Sequence, residues 1–285
     1  MLAVAVGSTA MDLVSTAGFS LRELSTLFTR TFEGYYVPWP DEPALLDARI
    51  RSEAISLVDS RVAMAAEGPA ALLLVSRRGR ESRLAAMGIA PAFRGRGIGR
   101  ELLGRLLAEA QERGDARMRL EVIEKNEPAV RLYRSAGFAT TRRLVGFSGL
   151  VPPEPAELQE VEPRVCAALL PEGLPWQLEP ASIAALATPS RVFRLGPAAV
   201  VVGSSAGPSI AIRALAVEPS ERGRGAGSRV LRALAALHPD KPLSFGAIVP
   251  EGLLDGFLAK NGFSRTELAQ LEMDWRSPTS SGLAP

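Results

Sequence analysis

Two hydrophobic periods alternate along this chain. From Ser20 to Phe32, Leu21, Leu24, Leu27 and Phe28 recur at spacings of three and four and predict an amphipathic helix. Asp41 can cap a second helix running through Arg51. Residues 61–66 and 70–76 are short apolar runs either side of Glu67-Gly68-Pro69, a hairpin signature. Leu84–Ala90 predicts a strand. Ile98–Arg113 predicts a helix with Leu102, Leu103, Leu106 and Leu107 inward, and Arg117–Ile123 a further strand. Pro128–Ser135 reads as a helix with proline at its start and glycine beyond its end. Residues 138–148 close the unit as a strand, and the whole is a mixed α/β pattern.

The pattern then repeats. Residues 89–99, Ile-Ala-Pro-Ala-Phe-Arg-Gly-Arg-Gly-Ile-Gly, align with 217–227, Val-Glu-Pro-Ser-Glu-Arg-Gly-Arg-Gly-Ala-Gly. Leu132-Tyr133-Arg134-Ser135-Ala136-Gly137-Phe138 resembles Phe257-Leu258-Ala259-Lys260-Asn261-Gly262-Phe263 in the same order. Two ordered matches imply duplicated domains rather than a short solenoid repeat. Residues 151–163 hold four prolines and four glutamates and read as an extended linker. The division is therefore 1–150, a linker at 151–163, and a second copy at 164–285 with a trimmed front end.

Composition narrows the chemistry. The chain has 285 residues, enough for two ordinary domains. One cysteine, Cys166, and one histidine, His238, exclude an internal disulfide and a His/Cys zinc site, and argue against a Ser-His-Asp triad; no metal is expected. The net charge is only +2, and basic residues are not interleaved with aromatics, so nucleic acid is not the expected partner. No stretch of 18 apolar residues suggests a membrane span, and Met1 to Val6 lack the preceding positive residues of a signal peptide. The cytoplasm is the expected location, as monomer or homodimer.

The glycine-rich segment Arg94-Gly95-Arg96-Gly97-Ile98-Gly99 carries the strongest chemical signal. It follows a strand and opens a helix. Glycines there let successive N–H groups point into one concavity, and the helix start adds unpaired donors and partial positive charge. Arg94 and Arg96 add cationic side chains. This suits a diphosphate. A P-loop would need Gly-Lys-Ser/Thr, and the dinucleotide fingerprint fails because position 100 is arginine.

These residues resemble the GNAT superfamily of N-acetyltransferases. Arg94–Gly99 matches its Q/R-x-x-G-x-G/A signature. Leu120-Glu121-Val122, Asn126, Ala129, Leu132-Tyr133 and Gly137-Phe138 match its other core region, most closely as in ribosomal-protein alanine acetyltransferases. The resemblance covers about residues 83–148, and the tandem arrangement is similar to that of mycothiol synthase. It implies two tandem GNAT folds, each a mixed, mostly antiparallel sheet flanked by helices. It also implies acetyl-CoA as co-substrate and a primary amine, on a small molecule or a protein N-terminus, as acceptor.

Roles follow by position. Met87, Gly88 and Ile89 would pair with the pantetheine arm, and Arg94, Gly95, Arg96, Gly97, Ile98 and Gly99 would hold the pyrophosphate. Asn126 would contact the cofactor, Tyr133 would act as general acid, and Glu121 as general base. The region lining the acceptor pocket in this family corresponds here to Thr31–Asp41, in which Glu33, Tyr35 and Trp39 suit a cationic amine. The second copy keeps Arg222, Gly223, Arg224, Gly225, Ala226 and Gly227, but Leu258 replaces the tyrosine, Glu251 replaces the asparagine, and no carboxylate matches Glu121. The first copy is expected to do chemistry and the second to have lost it. The alternative is a non-catalytic acyl-CoA-binding regulatory protein.

Overall fold

Ser20 opens the first helix with a reciprocal cap. Its hydroxyl accepts from the Glu23 amide at 3.3 Å, and the Glu23 carboxylate accepts from the Ser20 amide at 2.7 Å, which satisfies donors that a helix start leaves orphaned. The structure is a computed structural model describing residues 11–278; the apolar start Met1–Val6 lies outside the described residues. It separates into two compact units. One comprises Met1–Ile50, Ile55–Met118 and Arg276–Pro285, the other Arg51–Ala54 and Arg119–Trp275.

The first unit runs β1 (Asp12–Ser15), α1 (Leu21–Thr31), most of α2 (Pro43–Ser52), β2 (Arg61–Ala65), β3 (Gly68–Arg78), β4 (Glu81–Ile89) and α3 (Ile98–Glu112). The four strands lie in the order β1-β2-β3-β4, all antiparallel. Leu24, Leu27 and Phe28 of α1 and Leu46 of α2 pack on Val62, Leu72, Leu74 and Ala86 of the sheet. Leu102, Leu103, Leu106 and Leu107 of α3 are buried, as their spacing predicts. The β2–β3 hairpin is tighter than expected. Gly68 pairs with Ala65 and Pro69 with Met64, so the turn is Ala66-Glu67 and not Glu67-Gly68-Pro69. Asp41 does not cap α2: its carboxylate accepts from the hydroxyls of Ser25 at 2.6 Å and Thr26 at 2.9 Å on α1, which hold it below the usual carboxylate range.

The second unit contains β5 (Arg117–Ile123), whose first residues end the first unit, then α4 (Glu127–Ser135), β6 (Ala139–Gly149) and β7 (Gln159–Val161). There follow α5 (Pro163–Ala167), α6 (Pro180–Ala184), β8 (Arg191–Leu195), β9 (Ala198–Ser204), β10 (Ile210–Val217), α7 (Ala226–Leu237), β11 (Leu243–Pro250), α8 (Asp255–Lys260) and β12 (Phe263–Arg276). The elements from β8 to β12 repeat those from β2 to β6. The helices in front are five residues each, against eleven and ten for α1 and α2, so the front end is trimmed. The strand order is β5-β12-β6-β11-β10-β9-β8-β7. The final strand of each repeat has thus crossed over: β12 lies beside β5, and β6 lies beside β11. β10 and β11 run parallel, whereas β7–β8, β8–β9, β9–β10, β6–β11 and β6–β12 are antiparallel. The core gathers Val230, Leu231 and Leu234 of α7 with Val200, Ile212, Phe245 and Phe263 of the sheet.

Candidate active site

The glycine-rich loop folds as its residues dictate. A single 3-10 turn at Pro91–Phe93 follows β4. Gly95 and Gly97 then take φ of 76° and 79°, a left-handed conformation that costs an L side chain about 1–2 kcal/mol. Gly97 is the N-cap of α3 and supplies no side-chain acceptor. Among the described residues, the amides of Gly95, Arg96, Gly97, Ile98 and Gly99 donate to no backbone carbonyl. A row of unanswered donors at the positive end of a 15-residue helix fits the diphosphate of a coenzyme A thioester. The two arginines have other duties as well. Arg94 donates from Nε to the Ile89 carbonyl at 2.8 Å and from Nη2 to the carbonyls of Thr31 at 3.1 Å and Glu33 at 2.7 Å. It ties the end of β4 to the end of α1. The Arg96 guanidinium lies 5.7 Å over the Phe93 ring.

Strand β4 carries a feature the sequence did not disclose. Leu74 pairs with Ala86 and Val75 with Leu84, which leaves Ala85 as an extra residue. Its carbonyl is answered by Arg49 Nη2 at 2.7 Å. Beyond the bulge, Met87, Gly88 and Ile89 pair with Leu73, Leu72 and Ala71. A Cβ on Gly88 would stand 2.6 Å from both the Phe32 ring and Thr31 Oγ1, so glycine there admits an aromatic ring onto the strand. Phe32 stacks on Phe28 at 4.6 Å, and Tyr35 meets Phe32 edge-on at 5.2 Å. Trp39 packs on Phe28 at 5.3 Å, and the Arg49 guanidinium lies 5.3 Å over the Trp39 ring. The cation over Trp39 is therefore the protein's own. Glu33 contributes its carbonyl to Arg94.

The other site residues belong to the second unit. Glu121 is half-buried on β5, where Gln177 Nε2 donates to its Oε2 at 3.2 Å. Asn126 is the N-cap of α4, its Oδ1 accepting from the Ala129 amide at 3.4 Å. Tyr133 is 9% exposed on the same helix and packs edge-on against Phe138 at 5.9 Å.

The second loop repeats the first in detail. Gly223 and Gly225 have φ of 77° and 81°, Gly225 caps α7, and Arg222 Nε returns to the Val217 carbonyl at 3.1 Å as Arg94 returns to Ile89. The bulge recurs too. Ile212 pairs with Val202 and Ala214 with Val201, leaving Arg213 as the extra residue. A cleft of about 600 Å³ opens here, lined by Arg213 to Val217, by Gly223 and Gly225, and by Leu254 and Phe257. That volume suits a small ligand. Leu258, at the tyrosine position, is fully buried, and Glu251, at the asparagine position, pairs with Arg143 at 3.0 Å.

Among the described residues no helix is long and apolar enough to cross a membrane. Residues 21–138 match the model of the acetyltransferase (GNAT) family. The chain is similar to the N-alpha-acetyltransferase RimI of Mycobacterium tuberculosis, 40% identical over 105 residues, which are 35% of this chain and 61% of that protein. It is also similar to the ribosomal protein bS18 alanine N-acetyltransferase of Escherichia coli, 42% identical over 65 residues, covering 22% of this chain and 44% of that one. The chain thus spans less than two thirds of either relative. Its fold is similar to that of a tandem GNAT protein from the clavulanic acid biosynthesis pathway, with a TM-score of 0.64 at 12% identity over 97% of this chain and 99% of the other. Residues 21–138 thus match the acetyltransferase (GNAT) family, within a mixed α/β fold similar to that of a tandem GNAT protein.

Proposed function

We propose that this protein is an acetyl-CoA-dependent N-acetyltransferase of the cytoplasm whose chemistry resides in residues 1–150. A degenerate second copy at 164–285 follows the linker. The observation that carries this reading is the loop at Arg94–Gly99, with its left-handed glycines and unanswered amides, in a strand–loop–helix frame that ends in the Asn126 and Tyr133 motif. The acceptor is a primary amine on a small molecule or a protein N-terminus; the names of the two relatives, an N-alpha-acetyltransferase and a ribosomal-protein alanine N-acetyltransferase, support the second. In the reaction Glu121 takes the proton from the attacking nitrogen, directly or through water. The new C–N bond forms as the C–S bond breaks, and Tyr133 gives its proton to the departing sulfur. Backbone donors on β4 polarise the thioester carbonyl. Tyr133→Phe is expected to lower transfer by about 10²–10⁴-fold while coenzyme A binding is kept. Unchanged turnover in that variant removes Tyr133 from the mechanism.

The cleft beside Gly223 and Gly225 favours a second reading for that copy alone: it binds coenzyme A without turning it over. Calorimetry with coenzyme A reads the stoichiometry. Two sites support this reading, and a single site abolished by Gly97→Glu confines binding to the first copy.

A further inference from the structure

Glu121 is held by a segment of the second copy. Trp176–Leu178 form a single 3-10 turn in the second unit, and this stretch is docked on β5 at two neighbouring positions of one strand face. Glu179 accepts from Arg119 Nη1 at 2.6 Å. The Arg119 guanidinium lies 5.6 Å over the Trp176 ring, and Trp176, fully buried, donates from Nε1 to the Glu53 carbonyl at 2.7 Å. Between these anchors sits Gln177, 9% exposed, with Nε2 donating to Glu121 Oε2 at 3.2 Å. Charge fixes that orientation, because the flipped amide would set a carbonyl oxygen against a carboxylate. Gln177 Oε1 is buried and meets no donor among the described residues. A residue kept only for packing would be apolar and leave no such acceptor unanswered.

We propose that Gln177 is a positioning residue for the transfer reaction: its amide fixes the carboxylate of Glu121 in the rotamer that receives the proton of the attacking amine. The inference rests on the reading of Glu121 as general base. It gives the second copy a part in the first copy's chemistry without requiring any acid or base of its own. The segment is well suited to that part. Its partners on either side of Gln177 are buried or charge-paired, and a base placed about 1 Å off its line costs roughly a hundredfold in rate.

The test is a double-mutant cycle read in kcat and KM, with acetyl-CoA and an alanine-initiated peptide as probe substrates and released thiol as the signal. Gln177→Leu is expected to lower kcat about ten- to a hundredfold, with the KM for acetyl-CoA and the thermal midpoint unchanged. Gln177→Met, closer in length, serves if the leucine variant does not fold. Glu121→Gln lowers kcat by itself, and adding Gln177→Leu to it is expected to lower kcat no further. Independent, multiplying losses overturn the positioning role, as does a wild-type kcat in both Gln177 variants. A wild-type kcat in Glu121→Gln instead sinks the base reading, and Gln177 is then left with nothing to position. Silence of the unmodified chain toward the peptide, spermidine and a panel of amino sugars overturns the catalytic reading and this inference with it.

Discussion

Gly97 and Gly104 form a matched pair for testing the loop. They lie at the start and in the middle of the same helix, and a Cβ added to either would meet nothing within 4 Å. Sterics therefore drop out of the comparison and only backbone conformation remains. At Gly104 the backbone is helical and exposed, so Gly104→Ala should stabilise the protein by about 0.5–1 kcal/mol. At Gly97 φ is 79°, and Gly97→Ala should cost about 1–2 kcal/mol. That cost divides between two observables. Whatever the free loop avoids by relaxing, the ligand must restore on binding, so the loss of stability and the loss of coenzyme A affinity together should sum to about 1–2 kcal/mol. If all of it falls on binding, affinity drops about five- to thirtyfold. Urea unfolding and calorimetry with coenzyme A on both variants measure the two parts. Two results would refute the argument: wild-type stability and affinity in Gly97→Ala, or an equal loss of affinity in Gly104→Ala.

Gly88→Ala sets a methyl 2.6 Å from Phe32 and Thr31; it should cost about 1–3 kcal/mol in urea unfolding, and Phe32→Leu in the same chain should recover part of that. Arg49→Met strips the bulged Ala85 carbonyl of its donor and should destabilise by about 1–3 kcal/mol, read from the same midpoint. Burial pushes the Cys166 thiol from 9.0 up to about 12. Its folded value lies above its unfolded one, so the stability of the neutral thiol is complete below pH 9 and is lost as pH rises toward 12. The stability of Cys166→Ala should fall less steeply across that window, and the native thiol should resist a disulfide reagent at pH 8.

Much of this fold is legible locally. The period of Leu24, Leu27 and Phe28 finds α1, and the glycines of the loop announce their own backbone angles. What fails is anything settled by distant neighbours. Asp41 has the composition of a cap, but its partners are hydroxyls brought in by α1. The bulge at Ala85 is silent because Ala85 and Ala86 are both small and apolar, so the extra residue leaves no break in the alternation. Gln177 carries no motif at all: its meaning comes from standing beside Glu121 across 56 positions of sequence. The crossing of β6 and β12 is equally hidden, since each strand has the same pattern whichever copy it borders.

That crossing constrains how the molecule is made. Strand β6 emerges from the ribosome before β11 and β12, the two strands that flank it. Until they arrive, a strand carrying Leu144, Val145 and Phe147, all buried in the finished protein, has neither partner. Pairings this distant in sequence close slowly, and unpaired apolar strands are prone to aggregate. The nascent chain should therefore lean on holdase chaperones in proportion to the speed of synthesis. A gene split between the two copies should restore a folded product only when both halves are made together in one cell.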